Sequence, residues 1–258
     1  MKNKILEVKN VELDYSSSTG FVHALDSISF DISEGEFVCV LGPSGCGKST
    51  LLKLIAGFEH ATAGELLLKG QRIEGIDKQR GVVFQKDNLF EWFTVRDNVN
   101  YGLRMQGGLS KEEIKKKTDA MLNLMQLSDF SEKKVYELSG GMRQRASIGR
   151  TLINDPEILL MDEPFSALDA LTREQLQDAL RDLWMKQKNT IFFITHDIDE
   201  AMVLGTRVLI MSKRPGRIIK DINLNYTYLI SEEGNSRHKL SEDYFELRRS
   251  LFSLIASN

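Results

Sequence analysis

Nine consecutive residues, Gly42-Pro43-Ser44-Gly45-Cys46-Gly47-Lys48-Ser49-Thr50, bring glycines, a lysine and hydroxyls together in the order that a phosphate-cradling loop requires. Glycines let backbone N–H groups converge on phosphate oxygens, and a helix starting at Lys48 would add the positive end of its dipole. In such a loop the lysine reaches the β- and γ-phosphates and the first hydroxyl after it, Ser49, ligates magnesium. The chemistry is binding of a nucleoside triphosphate with Mg²⁺.

A second run, Ile158-Leu159-Leu160-Met161-Asp162-Glu163, ends an apolar strand in two carboxylates. Open α/β sheets place ligands at the C-terminal ends of their strands. Asp162 is therefore the expected Mg²⁺ ligand, directly or through water. Glu163 is the expected base that polarises the attacking water. By itself such a pair is often a solvated turn; following a phosphate loop, it is the other half of a hydrolytic site.

These residues need elements to hold them. Residues 37–41 form a short apolar run between Gly35 and Gly42, the pattern of a buried strand, and residues 48–57 read as a helix ending at Gly57. Upstream, residues 5–13 and 23–32 alternate with period two around a Ser16-Ser17-Ser18-Thr19-Gly20 loop, predicting an N-terminal antiparallel sheet. A strand over 80–84 precedes an amphipathic helix over 110–127, carrying Ile114, Met121, Leu122, Leu124 and Met125. We assign about 86–136 to a helical subdomain.

Alternation then resumes, with helices predicted over 140–154, 172–186 and 198–204 and strands over 158–161, 190–195 and 207–211. That order implies an α/β fold with a mostly parallel sheet. The main domain is expected to span 1–230. A C-terminal amphipathic helical extension covers 231–258, with Tyr244, Leu247, Leu251, Leu254 and Ile255 at helical spacing, and is expected to pack on its own domain.

The 258 residues are 41% hydrophobic and 28% charged with a net charge of -3, so no basic field is available for nucleic acid. Two cysteines, Cys39 and Cys46, are too few for a disulfide framework and point to a reducing compartment. No apolar run approaches the roughly 18 residues of a membrane span, and Glu7 and Lys9 interrupt any signal-peptide core. Service to a membrane would require another chain to cross it.

Leu138-Ser139-Gly140-Gly141-Met142-Arg143-Gln144-Arg145 resembles the signature of ABC transporter ATPases, and nearly the whole chain follows that family's motif order. The resemblance implies a P-loop NTPase of ABC type, with an N-terminal antiparallel β subdomain and a helical subdomain. Ser139, Gly140 and Gly141 would then close on ATP held by a second copy of the chain. Met142 departs from the usual glutamine but leaves the Ser-Gly-Gly donors intact. Gln85 matches the glutamine that reaches magnesium and the attacking water, and His196 the histidine that contacts the γ-phosphate. Ser166-Ala167-Leu168-Asp169 matches the loop along the dimer interface. Tyr15 resembles the aromatic that stacks on adenine, with Phe21 as the alternative.

Chromosome-type relatives carry a long heptad insertion and translation-type relatives two cassettes; neither occurs in this sequence. A non-transport ABC ATPase is the alternative reading. Residues 89–99 resemble the segment that receives a permease helix. Together with Met142 and Ser212-Lys213-Arg214-Pro215-Gly216-Arg217-Ile218, they most resemble importers of nitrate, sulfonates and taurine. That likeness implies transmembrane permease subunits, an extracytoplasmic solute-binding protein, and a peripheral place on the cytoplasmic face of the membrane.

Overall fold

The structure is a computed structural model and describes residues 3–17, 20–232 and 241–257. Strands β1 (Lys4–Ser17) and β2 (Gly20–Ser33) pair antiparallel, from Lys4 opposite Ser33 to Ser17 opposite Gly20. They run further than the alternation predicts. Ser16 pairs with Phe21 and Ser17 with Gly20, because a hairpin ladder satisfies backbone groups whatever the side chains. The part of the expected loop at Ser18 and Thr19 lies outside the described residues.

Strand β3 (Phe37–Leu41) is buried throughout and leads through residues 42–47 into helix α1 (Lys48–Ala56). Strands β4 (Ala63–Leu68) and β5 (Gln71–Arg72), which the periodicity does not announce, complete an antiparallel sheet in the order β2-β1-β4-β5. Next come β6 (Arg80–Val83), α2 (Val95–Gln106) and α3 (Lys111–Leu124). Ser110 and Glu113 form a reciprocal capping box at the start of α3, which explains where that helix begins.

Helix α4 (Gly140–Leu152), β7 (Ile158–Asp162), α5 (Ala170–Gln187), β8 (Ile191–Ile194), α6 (Ile198–Leu204) and β9 (Arg207–Met211) follow the predicted order. Helix α5 starts earlier than expected because Asp169 caps it, its carboxylate accepting from the Thr172 amide at 3.0 Å. β10 (Ile218–Asn223), α7 (Tyr226–Glu232) and α8 (Glu242–Ser257) complete the chain.

The second sheet has the order β10-β9-β3-β8-β7-β6; it is parallel except for β10, which pairs antiparallel with β9. Its two faces feed separate cores. Phe37, Cys39, Leu41 and Phe193 join the core beneath the helices, whereas Val38, Val40, Phe192 and Ile194 join the one shared with α1 and the antiparallel sheet. Each large apolar side chain so buried contributes roughly 1.5–3 kcal/mol. Register matters for function: Val40 lies beside Ile194, and Ile194 beside Asp162, so the ends of β3, β8 and β7 sit on one rung.

Helix α8 packs onto α6, with Tyr244 and Leu251 buried and Asp199 accepting from both the Tyr244 hydroxyl (3.0 Å) and the Arg248 guanidinium (2.6 and 2.8 Å). Of the stretch expected as an extension, α8 packs on α6, α7 runs across the expected boundary at 230, and residues 233–240 lie outside the described residues. Among the described residues no helix is long and apolar enough to cross a membrane.

Candidate functional site

The loop after β3 turns back at Gly47, whose φ of 107° is open to glycine, and a Cβ there would lie 2.7 Å from the Leu25 side chain. Lys48, only 6% exposed, donates from its ammonium to the carbonyls of Gly42 at 2.8 Å and Pro43 at 3.0 Å. No carboxylate among the described residues pairs with it. A buried ammonium hydrogen-bonded by neutral carbonyls, with the Asp162 charge near enough to be felt but not paired with it, is a position where a further anion is favoured. The open amides at the start of α1 add to that preference.

Ser49 Oγ donates to Asp162 Oδ1 at 3.0 Å. Burial raises the Asp162 carboxyl above the ordinary aspartate range; the Ser49 hydrogen bond opposes this and the neighbouring Glu163 charge adds to it. A hydroxyl and a carboxylate are hard oxygen donors, and no cluster of three or more acidic, His or Cys side chains that could hold a metal exists among the described residues. Such a sparse oxygen set fits Mg²⁺, which keeps waters and phosphate oxygens for its other positions.

Glu163 has a φ of 45°, left-handed for a non-glycine residue, which costs roughly 1–2 kcal/mol. Its N–H donates to the Ile194 carbonyl at 3.0 Å, fixing it against β8. The carboxylate then meets His196 Nδ1 at 3.2 Å. Gln85 enters from the far side: its amide donates to Ser166 Oγ at 3.1 Å, and that hydroxyl donates to the Glu163 carbonyl at 2.9 Å. Gln85 is thereby linked to the Glu163 backbone through a single hydroxyl.

Tyr15 lies on the hairpin arm opposite Val22, one rung from Phe21. Its hydroxyl donates to Glu59, and burial with that carboxylate raises its pKa. Phe21 is 82% exposed against 38% for Tyr15, so Tyr15 is the better packed of the two rings. Ser139 caps α4, accepting from the Met142 amide at 3.3 Å, and its hydrogen bonds stay within that helix. Helix α4 presses on α5, where a Cβ at Gly141 would stand 2.5 Å from Thr172 Cγ2.

Sequence reading missed several supports. Arg173 donates to the carbonyls of Phe165 (3.3 Å) and Leu168 (2.9 Å) and stands 3.9 Å from the Asp197 carboxylate, tying the loop after β7 to the loop after β8. Gln177, four residues on, donates to the buried Glu200 at 2.9 Å, and burial raises the Glu200 carboxyl. The spacing of four on α5 was the available signal. Arg214 donates to the Gly45 carbonyl at 3.1 Å and so closes over the phosphate loop from the β9–β10 connection.

A protein-family model described as ABC transporter matches residues 25–166. The chain is 47% identical to the taurine import ATP-binding protein TauB of Rhizobium johnstonii over 98% of this chain and 97% of that protein. It is 42% identical to the aliphatic sulfonates import ATP-binding protein SsuB of Bacillus thuringiensis subsp. konkukian, over 94% of this chain and 92% of that protein. Among solved structures it resembles the ATP-binding cassette MJ0796, seen as a post-hydrolysis dimer bound to ADP and phosphate. That match has a TM-score of 0.75 and 33% identity, covering 86% of this chain and 99% of that one.

Proposed function

We propose, on the premise that the chain belongs to the ABC transporter family, that it is the ATPase subunit powering uptake of a small organosulfonate through a separate permease. Family membership and ATPase activity follow from the matches above. The sulfonate assignment rests on the near-full-length likeness to taurine and aliphatic-sulfonate import subunits. The observation that carries the catalytic reading is the pair of contacts Ser49–Asp162 and Glu163–His196, gathered where β3, β8 and β7 end side by side.

In this reading residues 42–50 and Tyr15 hold ATP, with Lys48 turning from the loop carbonyls to the terminal phosphates. Ser49 and Asp162 hold Mg²⁺, and Gln85 reaches toward it. Bound magnesium neutralises charge on the phosphate oxygens. The Glu163 carboxylate takes a proton from water as that water attacks the γ-phosphate and ADP leaves, and His196, held against that carboxylate, contacts the γ-phosphate.

Ser139, Gly140 and Gly141 bind no phosphate in their own subunit and serve the nucleotide of a second copy. The working unit is then a dimer that closes on two ATP molecules and reopens after hydrolysis. The dimer docks on transmembrane permease subunits at the cytoplasmic face of the membrane, and an extracytoplasmic protein delivers the solute. The exposed Trp92, backed by the half-buried rings of Phe90 and Phe93, marks the docking face.

Reconstitution with a cognate permease and solute-binding protein tests the assignment. ATP-dependent vesicle uptake of labelled taurine or a short alkanesulfonate is expected, and Glu163→Gln should abolish it. Uptake of neither compound by an assembly that still hydrolyses ATP would refute the sulfonate assignment.

A further inference from the structure

Helices α3, α4 and α5 meet around a cleft of about 620 Å³, part of it open to solvent, and none of its lining residues belongs to the nucleotide site. Met125, Ile148, Leu180 and Leu183 give it apolar walls. Set among them is Arg145, on the second turn of α4. Its Nε is sealed from solvent and has no hydrogen-bond partner among the described residues.

Buried donors are nearly always satisfied, and a charged one left unpaired calls for an explanation. No carboxylate among the described residues pairs with this guanidinium; burial alone acts on it, holding its pKa below the ordinary arginine range. Lys186 lines the same cleft as a second cation and Asp182 as the one acidic residue. The lining therefore carries one positive charge in excess, beside apolar walls.

We propose that this cleft binds a small organic anion bearing a single negative group on a short apolar chain. The anionic group lies on Arg145, where a guanidinium makes its strongest hydrogen bonds, and the chain lies against Met125, Ile148, Leu180 and Leu183. Asp182 disfavours a second negative charge on the ligand. Because α4 begins at Gly140 and α5 is capped by Asp169, a ligand seated there bridges the helix that starts at the signature and the helix that follows the Ser166–Asp169 loop. This inference goes beyond the transport assignment and does not depend on which solute is carried.

Calorimetric titration of the full chain with hexanoate tests it, with the nucleotide site saturated by MgADP so that the phosphate loop cannot take the carboxylate. Saturable one-to-one binding is expected, at least tenfold tighter than for hexanamide, which has the same chain without the charge. Arg145→Met should weaken it at least tenfold. Ala179→Phe, a filling substitution from an exposed position on α5, should abolish it while leaving Arg145 in place, and it decides the matter if Arg145→Met fails to fold. Absence of saturable binding, equal affinity for hexanamide, or unchanged affinity in Ala179→Phe would overturn the proposal.

Discussion

Ser49 and Asp162 stand 113 residues apart in the chain, yet the serine hydroxyl donates to the aspartate carboxylate at 3.0 Å. The contact exists because β8 lies between β3 and β7, so the loop leaving β3 and the carboxylate ending β7 emerge at one edge of the sheet. His196 leaves β8 at the same edge and reaches Glu163. Three connections far apart in sequence converge on one hydrolytic constellation.

Burial raises the Asp162 carboxyl in the folded state above its unfolded value of 3.8. The folded chain then holds that proton more tightly than the unfolded chain does. This carboxyl therefore favours folding most when protonated, and its contribution is lost as pH rises from the ordinary carboxylate range through the raised pKa. Asp162→Asn should raise the melting temperature of nucleotide-free protein at neutral pH, with the gain shrinking toward acid, while weakening Mg²⁺-dependent ATP binding. Melting curves from about pH 4 to pH 8 decide it; a gain independent of pH would show that Asp162 ionisation is not the cause.

Glu163→Gln preserves side-chain shape but removes the charge that takes the proton. Turnover should fall by about 10²–10⁴, with ATP affinity retained and an ATP-bound dimer accumulating on size-exclusion chromatography. Near-normal turnover would remove Glu163 from the role of base.

Gly141→Ala places a methyl group 2.5 Å from Thr172 Cγ2 and must push α4 away from α5. Overpacking of this kind costs about 1–3 kcal/mol and displaces the Ser139–Gly141 donors, so ATPase activity should drop. Thr172→Ser removes the opposing methyl. The double variant should regain activity; failure to recover would mean that the alanine acts other than through the α5 contact.

Trp92 is 68% exposed and touches the ring of Phe90, which also packs on Phe93 and Tyr101. Trp92→Ala should change stability by less than about 0.5 kcal/mol, yet weaken capture of the permease by roughly 2 kcal/mol, as loss of a central aromatic anchor does. Co-purification and denaturant titration read the two effects separately. Undiminished permease capture would place the docking surface elsewhere.

Much of this was legible in the chain because the nucleotide motifs are local. A buried strand ending in glycines, or in two carboxylates, announces its chemistry within about ten residues. Helix α2 was passed over as a separate helix, although Val95, Val99 and Leu103 recur every four residues and are buried, and Thr94 caps its start. What the spacing does not report is the buried Asn98, which donates to the carbonyls of Phe90 and Thr94 and accepts from the Phe90 amide, fixing the turn that precedes the helix. Nor could spacing reveal that Tyr15 would be tied to Glu59, or that Arg173 would join the loops after β7 and β8.

By itself the sequence determined the donors and acids: which residues present amides, an ammonium, hydroxyls and carboxylates, and in what order. Tertiary structure alone decided which of them touch. Strand order brought Ser49 to Asp162 and His196 to Glu163, while helix packing set Ser139 as the cap of α4 and sealed the Arg145 Nε away from any hydrogen-bond partner among the described residues. The reason is physical: local pattern dictates whether a segment buries a face, but only the packing of those faces fixes where each strand ends relative to its neighbours.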